Sequence, residues 1–413
     1  MTSLDTKRNL GLDLFRGITV IWMIIVNNPG SWSAIYPLLK HPEWNGLSSA
    51  DLVFPFFLIA VGMSIPFSYA RRKEQDSLKS VKNSRKAILL RKFLLYQHIF
   101  VRGAILIGSG LLINAFPSFE WNGLRIPGVL QRIGVVYICC YMVFIHVNPR
   151  IIFLLFLSIL LGYLYLIVFI PPPDWNGFRS ILGYNAGWGL FDYEYWKNAL
   201  SIKEFNFTAY YNLSAYVDRS LLYGHLWKFT KTWDPEGILS TIPSIATSMI
   251  GLWIGSIKIR NSDSQSIHEK SISKISLWLG GFAMIAAGLI LDEYFPINKS
   301  IWSSSFVLIT GGIASVFIAV LDSVPSIWRQ HFEPILLFGR YALFVFIFSA
   351  IFSRLLILNI NGIVPKSWLV TKFFTWENSH LSSLVYSVAM LLFIWIVTYF
   401  RSKIVIKIPH FNK

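Results

Sequence analysis

The apolar residues of this chain gather into ten long runs, near 11–28, 50–70, 99–115, 126–147, 150–170, 238–257, 275–292, 301–320, 334–357 and 378–400. A helix needs roughly 20 residues to cross the hydrocarbon of a bilayer, and each run is long enough to be a candidate. In lipid every backbone N–H and C=O must pair within its own segment, so the runs predict helices and not strands. The expected fold is therefore an all-α polytopic membrane protein of about ten transmembrane helices, with residues 1–413 forming a single domain.

Composition supports that class. Hydrophobic residues make up 54% of the 413 and charged residues only 14%, whereas a soluble domain carries about 25% charged residues. The formal charge of +16 raises nucleic acid as a partner. The basic residues punctuate the apolar runs and form no compact face, so no nucleic-acid partner is expected. With the N-terminus inside, the short inner segments hold 21 Lys and Arg and the short outer loops hold five: Lys40, Arg125, Lys299, Lys366 and Lys372. That bias predicts cytoplasmic termini. The first run follows Lys7 and Arg8 without a small-residue cleavage site, so it is expected to remain as an anchor. Cys139 and Cys140 are adjacent within one run and predict no disulfide framework.

The outer segment 171–237 is long for a connector and holds 17 Trp, Tyr and Phe residues, so it is expected to have structure of its own, resting on headgroups or lining a ligand site. A short echo runs through the outer loops: Glu43-Trp44-Asn45-Gly46, Glu120-Trp121-Asn122-Gly123 and Asp174-Trp175-Asn176-Gly177. It reads as a turn, with Asn-Gly supplying positive φ, or as a sugar-stacking motif.

Polar side chains concentrate at the outer level. Asn27 and Asn28 close the first run, His41 follows, and Asp51 opens the second. Arg125, Gln131 and Arg132 enter with the fourth. Asp234 and Glu236 precede the sixth, and Asn298 and Lys299 precede the eighth. Charges at membrane depth point to function. Each also has a structural reading: Asp13 with Arg16 as an ion pair, Asp51 paired to an arginine, and Asp234-Pro235-Glu236 as a helix start. Arg125 and Arg132, seven apart, are expected on one helix face. No metal-ligand spacing and no phosphate-cradling glycine loop occurs in the sequence.

At these residues the chain resembles the heparan-α-glucosaminide N-acetyltransferase family. The resemblance rests on Asp13-Leu14-Phe15-Arg16-Gly17, Val26-Asn27, His41 with Trp44-Asn45-Gly46, and Ala50-Asp51-Leu52-Val53-Phe54-Pro55. It continues through Arg125-Ile126-Pro127-Gly128-Val129-Leu130-Gln131-Arg132, Asp234-Pro235-Glu236-Gly237 and Pro296-Ile297-Asn298-Lys299 with Trp302. It implies transfer of acetyl from cytosolic acetyl-CoA to a glucosamine amine across the membrane. His41 falls on the family's active-site histidine and Asn27 on its nearby asparagine. Asp51, Arg125, Gln131, Arg132, Asp234, Glu236, Asn298, Lys299 and Trp302 are then expected to bind substrate. The implied partners are acetyl-CoA, an amino sugar or glycosaminoglycan fragment, membrane lipid and a second copy in a homodimer, with no metal. The lysosomal members' large N-terminal luminal domain and preceding span are expected to be absent, which implies a bacterial member in the cytoplasmic membrane. Asn28-Pro29-Gly30 follows Asn27 where a glycine run is expected, so the loop to His41 is expected to differ in shape and the acceptor stays open. A membrane O-acyltransferase and a sugar or anion transporter remain the alternatives, the latter marked by discontinuous helices.

Overall fold

The computed structural model describes residues 10–78, 85–170, 172–173, 209, 212–263, 267–324 and 331–407. Most of segment 171–237, including the third Trp-Asn-Gly motif, lies outside the described residues up to 211. The described chain is helical, in the order α1 (Leu10–Asn27), α2 (Val53–Leu78), α3 (Arg85–Ala115), α4 (Val129–His146), α5 (Pro149–Phe169), α6 (Leu213–Leu221), α7 (Ile238–Asp263), α8 (Ile267–Asp292), α9 (Ser304–Ser323), α10 (Glu333–Arg340), α11 (Ala342–Leu356), α12 (Pro365–Phe373) and α13 (Ser379–Lys407). Nine are long and apolar enough to span a bilayer. The chain is a multi-pass membrane protein.

Local chemistry sets several boundaries. Asn148 caps α5, its side chain accepting from the Arg150 amide, with Pro149 in the first turn where no N–H is needed. Asn212 caps α6 and Ser303 caps α9 in the same way. The fourth run starts later than its hydrophobicity suggests: Pro127-Gly128 stays extended, α4 begins at Val129, and Arg125 lies in the preceding loop. Arg125 and Arg132 therefore do not share a helix face. The run 334–357 is also broken. It forms α10 and α11, bent by 82° between Arg340 and Ala342. α10 packs on the first turns of α1 so closely that a Cβ on Gly339 would sit 2.0 Å from the Asp13 carbonyl oxygen. Arg340 pairs with Glu333 on α10 itself. The break thus lies at the end of α1 remote from Asn27, away from the polar cluster.

The centre is built on α2 and α7, which cross where a Cβ on Gly62 would meet the Ser248 carbonyl oxygen at 2.0 Å and one on Gly251 would meet that of Ile59 at 2.1 Å. In lipid, backbone proximity of this kind replaces the hydrophobic drive as the source of helix association. Phe15, Phe54, Leu58, Tyr137, Trp302 and Phe306 fill the core around that crossing. A second cluster, with Trp44, Tyr163, Trp233, Phe295 and Ile301, lies beneath the loops that carry the polar residues. Packing of the α10–α11 unit and α13 against α1 buries a third, around Ile24, Phe338, Val345 and Tyr386.

Candidate active site

The loop between α1 and α2 carries His41 and ends in the 3-10 turn Ser49–Leu52, which buries Asp51 to 1% exposure. The Asp51 carboxylate collects its donors at close range. One oxygen lies 2.6 Å from His41 Nδ1 and 3.4 Å from Lys299 Nζ; the other accepts from the Ser48 amide at 2.9 Å and its hydroxyl at 3.1 Å. His41 and Lys299 are both within reach of solvent. Asp51 therefore pairs with a histidine and a lysine, and not with an arginine. Lys299 comes from the α8–α9 loop, which is fixed to the His41 loop at two points. The Gly46 amide donates to the Ile297 carbonyl at 2.7 Å, and Asn298 Nδ2 donates to Asn45 Oδ1 at 3.1 Å. Gly46 makes the first contact with φ of 115°, and Gly123 in the second Trp-Asn-Gly motif has φ of 81°. The turn reading thus holds for both described copies. Trp44 is buried edge-on against Trp233, while Trp121 is exposed.

A second group of charges adjoins the first. Arg125 Nε and Nη2 grip both oxygens of Asp234, at 2.8 and 2.6 Å, and Nη2 also bonds Glu236. Such a forked contact is geometry that lysine cannot reproduce. The two acids outweigh the effect of burial and hold the Arg125 pKa above its ordinary value. Burial would raise Glu236, but Arg125, Arg132 and Lys299 together hold it below the usual carboxylate range. Burial pushes Asp234 upward against the pull of Arg125. The electrostatic reach of Glu236 to Lys299 joins the two groups.

Arg132 extends the cluster into the bundle. It is 2% exposed and sits over the rings of Trp302 and Phe54, at 5.1 and 5.8 Å. Its Nη2 reaches the Gly237 carbonyl and the Ser240 hydroxyl, while among the described residues Nε, Nη1 and the neighbouring Gln131 Nε2 meet no hydrogen-bond partner. Trp302 is almost wholly buried, its indole N–H donating to Thr247 at 3.0 Å. Asn298 is buried too, its side chain committed to Asn45 and the Ile301 amide. These two frame the site and do not face an opening. Asn27 ends α1 with its side chain exposed, and no hydrogen bond joins it to His41.

Asp218 on α6 is absent from the sequence reading. It accepts from the amides of Asp234, at 3.2 Å, and Ile238, at 2.9 Å, and leaves no room for a Cβ on Gly237. It therefore supplies the cap on α7 that Asp234 was expected to provide. Burial pushes its carboxyl up to about 7. Nothing local in sequence marks this partner, because the cap comes from another helix. Among the described residues no group of three His, Cys, Asp or Glu side chains is placed to hold a metal.

Residues 8–185 match the family model described as heparan-alpha-glucosaminide N-acetyltransferase, catalytic. This stretch contains Asn27, His41, Asp51, Arg125 and Arg132. Residues 8–185 are thus similar to the catalytic region of the heparan-α-glucosaminide N-acetyltransferase family. The chain is 27% identical to the heparan-alpha-glucosaminide N-acetyltransferase of Homo sapiens over 384 residues, covering 83% of this chain and 53% of that protein. With the Mus musculus protein of the same name it shares 28% identity over 351 residues, 76% of this chain and 49% of the relative. The chain spans about half the length of the curated relatives it matches. Lys299 and the Asp234–Glu236 pair lie beyond the stretch that the family model covers, and folding brings them to the histidine inside it.

Proposed function

We propose that the chain is a transmembrane N-acetyltransferase that moves acetyl from acetyl-CoA on the cytoplasmic side to the amine of a glucosamine-type sugar on the other. The observation that carries this reading is His41 held by buried Asp51. A carboxylate accepting from Nδ1–H fixes the tautomer and leaves the Nε2 lone pair, 3.4 Å from Lys299 Nζ, on a solvent-reached ring. Nε2 takes a proton from the amine as its nitrogen attacks the thioester carbonyl. The carbon–sulfur bond then breaks, and the proton passes to the departing CoA sulfur. Asn27, whose side chain is exposed, donates to the thioester oxygen. Glu236, 11% exposed where Asp234 is closed off, is the acid of this pair that holds a sugar hydroxyl or the ammonium form.

Sidedness rests on the distribution of Lys and Arg, which favours cytoplasmic termini and puts His41 on the far side. In a bacterial cytoplasmic membrane that side is the periplasm. The nucleotide end of CoA is too charged to cross, so the pantetheine arm must pass between helices. The unpartnered N–H groups of Gln131 and Arg132 support that route, since a buried donor without an acceptor is costly and an amide carbonyl would satisfy it.

The test uses the full chain in proteoliposomes of known orientation, with labelled acetyl-CoA on one side and a panel of amino sugars on the other. Acetyl should appear on the amine of a glucosamine-type sugar, and His41→Ala should abolish transfer while thermal stabilisation by CoA persists. Acetylation of alcohols and not amines, or full activity of His41→Ala, would overturn the assignment. Labelled acetyl-CoA without acceptor separates direct transfer, which is expected, from an acetyl-His41 intermediate.

A further inference from the structure

A surface beside the site has no role in the proposed reaction. Between α11 and α12 the chain turns through Ile360-Asn361-Gly362-Ile363, with φ of 52° at Asn361 and 84° at Gly362 and an antiparallel bridge between the two isoleucines. Both Ile360 and Ile363 are exposed. The helix that follows, α12, buries none of its residues, and Trp368, Phe373 and Trp376 stand open there. Across from them Trp32, 63% exposed, belongs to the loop between Asn27 and His41. That loop is fastened to the start of α13 by the Gly30 amide on the Ser383 carbonyl and the Ser31 amide on the Ser383 hydroxyl. The surface therefore lies at the His41 end of the bundle.

Two cations sit among these rings. Lys366 Nζ lies 5.8 Å from the Trp32 ring centre and 5.9 Å from that of Tyr386. Lys372 Nζ lies 5.0 Å from Trp368 and 5.9 Å from Phe373. Among the described residues neither lysine has an ion pair. Burial pushes Lys366 below the usual lysine range, a cost that an anion would offset. Rings that flank an ammonium leave its remaining donors for a phosphate, and Trp with Lys at the end of membrane spans is the pattern of a headgroup-level surface.

The geometry points to an anionic phospholipid site in the leaflet on the His41 side. The isoleucine turn and the exposed aromatics of α12 enter the headgroup layer, Lys366 binds the lipid phosphate beside Trp32, and Lys372, against Trp368 and Phe373, adds a second cation at the same level. A bound lipid would brace the loop that leads from Asn27 to His41.

Native mass spectrometry of the delipidated full chain in neutral detergent tests this, titrated with phosphatidylglycerol, phosphatidylcholine or inorganic phosphate. Wild type should retain phosphatidylglycerol in preference to phosphatidylcholine, and Lys366→Gln with Lys372→Gln should lose at least about fivefold of that retention. Lys403→Gln, at the opposite end, should not. Size exclusion and thermal unfolding verify the fold. If the double variant does not fold, Lys372→Gln alone, on an exposed side chain, gives the reading. The proposal fails if the two lipids are retained equally, or if the folded variant binds like wild type. It fails equally if inorganic phosphate displaces the lipid, or if the variant loses a dimer while keeping lipid. None of these outcomes depends on acetyl transfer.

Discussion

Asp51→Asn changes no volume and removes one charge, so it isolates what the carboxylate does for His41. Asp51 accepts from Ser48 on one oxygen and meets His41 and Lys299 on the other. An amide cannot accept on both sides. If its oxygen stays toward Ser48, its NH₂ faces His41 Nδ1, which must become the acceptor; the ring proton moves to Nε2, the nitrogen needed as base. If its oxygen turns to His41, the NH₂ opposes the half-buried Ser48 N–H, and an unsatisfied pair of that kind costs about 1–3 kcal/mol. A positioned base contributes about 10²–10⁴-fold to rate, so kcat should fall by about 10²–10³-fold. Acetyl-CoA affinity should stay within about twofold, because the loss belongs to the transition state and not to donor binding. The assay is transfer to an amino sugar in oriented proteoliposomes, beside the CoA-induced shift in Tm. A folded Asp51→Asn protein with kcat within about threefold of wild type would refute the tautomer argument.

Arg125→Gln leaves Asp234 and Glu236 buried side by side without their shared cation. Breaking a buried pair in this way costs about 3–5 kcal/mol, so Tm should drop steeply, and Arg125→Lys should recover only part of it. Burial pushes the Asp218 carboxyl up to about 7 in the fold against about 3.9 in an unfolded chain. The folded state therefore holds the proton more tightly, and this contribution to stability, full below about pH 4, is lost as pH rises through about 7. Tm measured from pH 5 to pH 8 should fall less in Asp218→Asn than in wild type, in which the Asp234 carboxylate and the Arg132 guanidinium both face the titrating group. Equal slopes would remove Asp218 as the source.

The membrane helices were legible because a span must be apolar along its whole length, and that requirement is written locally. Their departures from the pattern were not. An apolar run from 334 to 357 gives no sign of the 82° bend after Arg340, which accompanies the close seat of Gly339 on the Asp13 carbonyl. The site divides along the same line. Depth can be read from sequence, so Asp51, Arg125, Arg132, Asp234 and Glu236 could be assigned to one membrane level before their contacts were known. Partners cannot, since Lys299 reaches His41 across 258 residues and Asp218 reaches the turn before α7 from a separate helix. The missing partners decide what each residue does. Paired with an arginine, Asp51 would be a neutralised structural acid. Paired with His41 Nδ1, it sets which ring nitrogen is free, and only that pairing lets a solvent-reached imidazole accept a proton from an attacking amine. Family resemblance could name the histidine, but the case for it as a base rests on the carboxylate behind it.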